Sequence, residues 1–195
     1  MGDAVTSLSP PLAALREEFD ATTRRLHALA DPLDESDWGR RPAEVKWSVA
    51  ECIEHLNLTS RAFLPILREA VRDGRVRGIT SANPSFRLDF VGWLLLRANE
   101  PPVRRTRIKT APSFVPPSVE PKADVIREYE RLQQELIALL TDADGLALAK
   151  IKVRSPFNAR MGYSLYSALR VIPAHQRRHL WQAEQALAAI RAAGR

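Results

Sequence analysis

Residues 47–56 read Trp47-Ser48-Val49-Ala50-Glu51-Cys52-Ile53-Glu54-His55-Leu56. Ser48 and Glu51 are spaced as a capping box, in which each residue satisfies the other's free amide at the start of a helix. The helix that begins there carries Val49, Cys52, Leu56, Thr59, Phe63, Ile66 and Ala70 along one side, at the three- and four-residue steps of an α-helix. It is expected to run to about Asp73-Gly74. His55 stands two turns in, at the edge of the apolar arc, where it can face the inside of a helical bundle.

Three more helices are legible on either side. Leu12, Leu15, Phe19, Thr22, Leu26, Leu29 and Leu33 form a stripe that opens after Ser9 and the pair Pro10-Pro11. Val125, Tyr129, Leu132, Leu136 and Leu139 form another, opening near Pro121 and closing at Asp144-Gly145. The last runs from about Tyr163 to Ile190 through Leu165, Leu169, Ile172, His175, His179, Ala183 and Ala186. Pro65 and Pro173 fall inside two of these helices, where kinks are expected. The fold class is all-α, a four-helix bundle forming a single domain over residues 1–195.

Between the second and third main helices lies a long excursion, residues 74–120. Phe86 to Arg97 reads as a short helix or an apolar flap, and an exposed flap of that kind is a surface on which a homodimer could form. Six of the 14 prolines fall between Pro101 and Pro121, which excludes a regular element there. The connection from Asp34 to Lys46 is polar and carries Trp38.

Composition narrows the function. Hydrophobic residues make up 45% and charged residues 27%, a globular balance. The one cysteine, Cys52, excludes an internal disulfide and fits a reducing compartment. No basic segment followed by an apolar run opens the chain, and no apolar stretch approaches the roughly 20 residues needed to cross a bilayer. The expected location is the cytoplasm, with no membrane partner. The net charge of +6 and the cluster Arg104, Arg105, Arg107 and Lys109 raise nucleic acid as a ligand. No recognition helix or base-stacking motif accompanies them, so a solvated basic loop is the plainer reading and no specific nucleic-acid partner is expected.

The chemistry gathers on histidine. His175 and His179 lie one turn apart on one helical face, so both rings can reach one metal ion while His55 supplies a third ligand from a facing helix. His27, off the stripe of its helix, is read as a surface residue. Three neutral imidazoles leave a position open for water or substrate, and they suit zinc, nickel, iron or copper. Against this stands the plainer reading of separately hydrogen-bonded core histidines, each of which would need partners for two ring nitrogens. Gln182, one turn after His179, is placed to orient a ligating ring. Cys52 could present a thiolate near His55, though a small buried cysteine is the commoner role. Trp47 is expected to pack the helix entrance rather than touch substrate.

The motif in residues 47–56 resembles the W-S-x-x-E-x-x-x-H-L opening of the second helix in the DinB-like superfamily, which includes the YfiT-type metal-dependent hydrolases. His175-Gln176-Arg177-Arg178-His179-Leu180-Trp181-Gln182 resembles its terminal H-x-x-x-H-x-x-Q motif. The resemblance implies a divalent metal, usually zinc or nickel, held by His55, His175 and His179 inside the bundle. It further implies transfer of a low-molecular-weight thiol to an electrophilic small molecule, or hydrolysis by metal-activated water. A metal-binding stress-response scaffold without catalysis is a third reading. No second carboxylate or histidine is identifiable as a general base, which weighs against hydrolysis.

Overall fold

The computed structural model describes residues 8–102, 110–158 and 160–193. Four long helices make the bundle: α1 (Pro10–Ala30), α3 (Val49–Val76), α5 (Lys122–Ala143) and α6 (Leu165–Ala193). Two shorter ones, α2 (Glu35–Gly39) and α4 (Phe90–Asn99), sit in the connections. Both α1 and α3 pack against α5 and α6, so the long helices close a four-membered ring, and α4 lies on the outside of α6. The all-α, four-helix expectation holds.

Local chemistry accounts for the helix ends. The Ser48 hydroxyl accepts the Glu51 amide at 3.2 Å, and the Ser48 amide donates to Glu51 Oε2 at 2.9 Å, completing the capping box. Arg41 then clamps the same carboxylate, with Nε donating to Oε2 at 2.8 Å. Ser9 caps α1 differently from a usual serine. Its amide, not its hydroxyl, is engaged, donating to Asp144 Oδ2 at 2.8 Å and tying the start of α1 to the end of α5. Just beyond that point Gly145 has φ +80°, a turn that side-chain-bearing residues rarely adopt. Helices α3 and α6 continue through Pro65 and Pro173.

The core has two apolar clusters. One gathers Leu15, Phe19, Phe63, Leu67, Leu136, Leu140 and Leu169; the other gathers Leu26, Trp38, Ile53, Leu56, Tyr129, Leu180 and Ala183. Along α1, α5 and α6 the residues between them are polar. Gln176 Nε2 donates to Gln133 Oε1 at 2.7 Å, Gln133 Nε2 donates to the Thr22 hydroxyl at 3.0 Å, and that hydroxyl donates to Gln176 Oε1 at 2.9 Å. The triangle leaves little freedom for α6 to slide or rotate, because any shift would strand buried amides. His175 is the next residue along from Gln176.

Several sequence expectations are corrected. The last helix begins at Leu165 rather than Tyr163, because Gly162–Ser164 forms β2 and pairs antiparallel with β1, Lys152–Arg154. Helix α3 runs past Asp73-Gly74 to Val76. Within the polar connection, Asp34 accepts the Asp37 amide at 2.8 Å and nucleates α2, which delivers Trp38 to the core. The proline-rich stretch does contain one regular turn, a 3-10 turn over Pro112–Phe114. The helical alternative for Phe86 to Arg97 is the one realised, although α4 is shifted to Phe90–Asn99 because Asp89 caps it. Phe90, Trp93 and Leu94 on α4 are 74%, 50% and 52% exposed. The basic cluster at Arg104, Arg105, Arg107 and Lys109 lies outside the described residues. Among the described residues no helix is long and apolar enough to cross a membrane.

Candidate metal centre

His55 comes from the second turn of α3, while His175 and His179 come from successive turns of α6, the helix packed beside it. Their candidate ligand atoms all lie within 4.8 Å of one another. Ring centroids are 4.3 Å apart for His55 and His179, 4.5 Å for His175 and His179, and 5.2 Å for His55 and His175. His55 and His179 are buried and His175 is half-buried, so the cluster has one side toward the surface.

The hydrogen bonds decide which nitrogens face inward. His55 Nδ1 lies 2.7 Å from the Phe114 carbonyl, which can only accept, so Nδ1 carries the proton and Nε2 presents a lone pair. That Nε2 lies 3.4 Å from Nε2 of His175. Two nitrogens each about 2.0–2.1 Å from a tetrahedral ion stand roughly 3.4 Å apart, so the spacing fits two ligands of one metal. His179 Nδ1 is buried without a hydrogen-bond partner, a costly state for a ring nitrogen unless something else occupies it. The donor set thus fits a divalent cation bound by three neutral imidazoles.

Electrostatics keeps the rings neutral. Burial pushes the proton affinity of His55 below the ordinary histidine value, against the opposing pull of the Phe114 carbonyl. His175 and His179 lie well below it, through burial first, then mutual repulsion within the triad and the positive charge of Arg178. The Arg178 guanidinium itself is held in place by donation to the Ala98 carbonyl at 2.7 Å. Neutral imidazole is the form that ligates a metal.

The remaining candidates separate cleanly. His27 is partly exposed on α1 and pairs with Glu130 at 2.8 Å, so it stays outside the cluster as expected. Gln182 is placed near His179 and favours its protonated form. Cys52 is buried among Ile53, Leu56 and the rest of the second apolar cluster, and burial pushes its thiol up, which opposes a thiolate role. Glu51, one turn before His55, is spent on Ser48 and Arg41.

Two contributors were not anticipated. Trp47 does cover the helix entrance, but its ring also lies 5.1 Å from His55 and 6.1 Å from His179, so it walls the centre. The Phe114 carbonyl, delivered by the 3-10 turn, orients His55. A backbone group in a proline-rich segment carries no sequence signature, whereas the Trp47 contact could have been found from its position two turns before His55.

The family model of the DinB superfamily matches residues 18–183, a span that runs from α1 into α6 and includes all three histidines. No curated protein and no solved structure matches the chain. With most of its length matched, the chain belongs to the DinB superfamily.

Proposed function

We propose that the chain binds one divalent metal ion through His55, His175 and His179 and transfers a low-molecular-weight thiol to an electrophilic small molecule. The observation that carries the reading is the convergence of three ring nitrogens within 4.8 Å, with the His55 tautomer set by the Phe114 carbonyl. Zinc or nickel is the expected ion, and iron suits the same ligands. When bound, the metal supplies a positive charge that favours the thiolate form of an incoming thiol.

The protein's own part is positional. His55, His175 and His179 remain neutral donors, Phe114 holds one ring by its second nitrogen, and Trp47 restricts water on the side of His55 and His179. Thiol transfer is preferred to hydrolysis because no carboxylate belongs to the cluster among the described residues, and nearby Glu51 is locked by Arg41. Among the described residues a general base for activating water is therefore missing from the immediate surroundings.

A second reading, a non-catalytic dimeric metal protein, draws on the exposed apolar face of α4. Cobalt substitution separates the readings. If thiol binds at the centre, adding mercaptoethanol to the cobalt-loaded protein produces a thiolate-to-cobalt absorption band, and metal-dependent consumption of thiol with an added electrophile follows. An unchanged spectrum with metal-dependent ester hydrolysis would replace thiol transfer by hydrolysis. An unchanged spectrum, no turnover of either kind and a dimer by sedimentation would favour the scaffold.

A further inference from the structure

Phe157, in the loop between β1 and β2, has an unusual setting. Its ring meets Phe114 edge-on at 4.7 Å and Phe63 at 5.6 Å, both of them buried, and lies 6.1 Å from the ring of His175. Two buried aromatic rings contact it, yet the residue remains 42% exposed. His175 is also the member of the triad that is only half-buried. A partly exposed aromatic surface therefore borders the histidine cluster beside His175, while Trp47 lies against the other two rings.

We infer that Phe157 is a specificity-determining wall of the substrate site, selecting a small molecule that carries a flat aromatic or conjugated group. The inference rests on the metal-binding reading above. Its physical basis is that aromatic pairs gain more than their buried area alone supplies, and a ring packed against two others has less freedom to lose on stacking. An aliphatic group of similar reach would cover the same surface without that gain. The backing by Phe114 also couples the wall to the centre, since the same residue's carbonyl orients His55.

The test uses two metal-directed probes that differ in the aryl group, benzohydroxamate and acetohydroxamate, titrated calorimetrically into zinc-loaded protein. Zinc content is measured on every sample. Phe157→Leu, which keeps apolar bulk without a ring, is expected to weaken benzohydroxamate by about 2- to 13-fold and leave acetohydroxamate unchanged. Phe157→Tyr, which keeps the ring, is expected to retain the wild-type preference. With zinc content intact, equal weakening of both probes by Phe157→Leu, or no change in either, would overturn the wall. Loss of the aryl preference in Phe157→Tyr would overturn it as well. Wild-type protein that takes up no zinc would overturn the metal-binding reading itself, and the inference with it.

Discussion

Metal-free protein is expected to lose stability steeply as the pH falls from 7.5 to 5.5. Unfolded, the three histidines of the cluster take up protons around the ordinary value of 6.5. Folded, burial and mutual repulsion hold them below it, so across this window the unfolded chain binds more protons than the native one. Stability then rises with pH, and the loss accumulates from about pH 6.5 downward until the folded rings protonate. The slope is about 1.4 kcal/mol per pH unit for each ring that stays neutral in the fold. Glu128 is lowered to about 2 by its Arg131 and Arg61 partners and titrates far below this window. Urea unfolding of chelator-treated protein at the two pH values measures the effect, beside a His175→Asn/His179→Asn double variant that should lose much less. Equal losses in the two proteins, or none in the wild type, would remove the neutral triad from the account.

A second large effect is expected from a single methyl group. Gly92 in α4 lies against α6, and a Cβ added there would fall 2.2 Å from Ser167 Oγ and 2.3 Å from Ser167 Cβ. The surrounding joint has little slack, because Asp89 caps α4 through Gly92, accepts from the Ser167 hydroxyl at 3.2 Å and binds Lys152 at 3.2 Å. Gly92→Ala must therefore displace α4 from α6, at a cost of about 1–3 kcal/mol by analogy with other overpacked sites. Ser167→Gly removes both atoms of the clash. Combined with Gly92→Ala, it is expected to give a double variant less destabilised than the sum of the two single changes, by more than about 0.5 kcal/mol. Strict additivity in chemical denaturation would mean that the close approach of α4 and α6 is absent in solution.

How far residues alone led is clearest at particular places. Ser48 and Glu51 announced the start of α3 because a capping box is a local device that reads the same in sequence and space. The stripes of α1 and α5 were legible for a similar reason, since periodic burial over five or six turns outweighs single exceptions. His175 and His179 could be assigned to one face from spacing, and His55 joined them because the bundle places α3 beside α6. The hairpin of Lys152–Arg154 and Gly162–Ser164 is illegible in the sequence because three-residue strands are too short for a period to show. Trp38 and α2 were obscured by their acidic neighbours. Gln133 and Gln176 carried no signal either, since their burial is stabilised only by each other and by Thr22 across three helices.

Elemental analysis of untagged protein separates one shared three-imidazole metal site from three separate core histidines, with wild type, His27→Ala and His179→Ala purified side by side after reconstitution with zinc. About one equivalent of metal in wild type and in His27→Ala, with loss in His179→Ala while helicity by circular dichroism is kept, is the result predicted. Full metal content in His179→Ala, or no metal in the wild type, would contradict the account and leave a helical bundle with buried histidines.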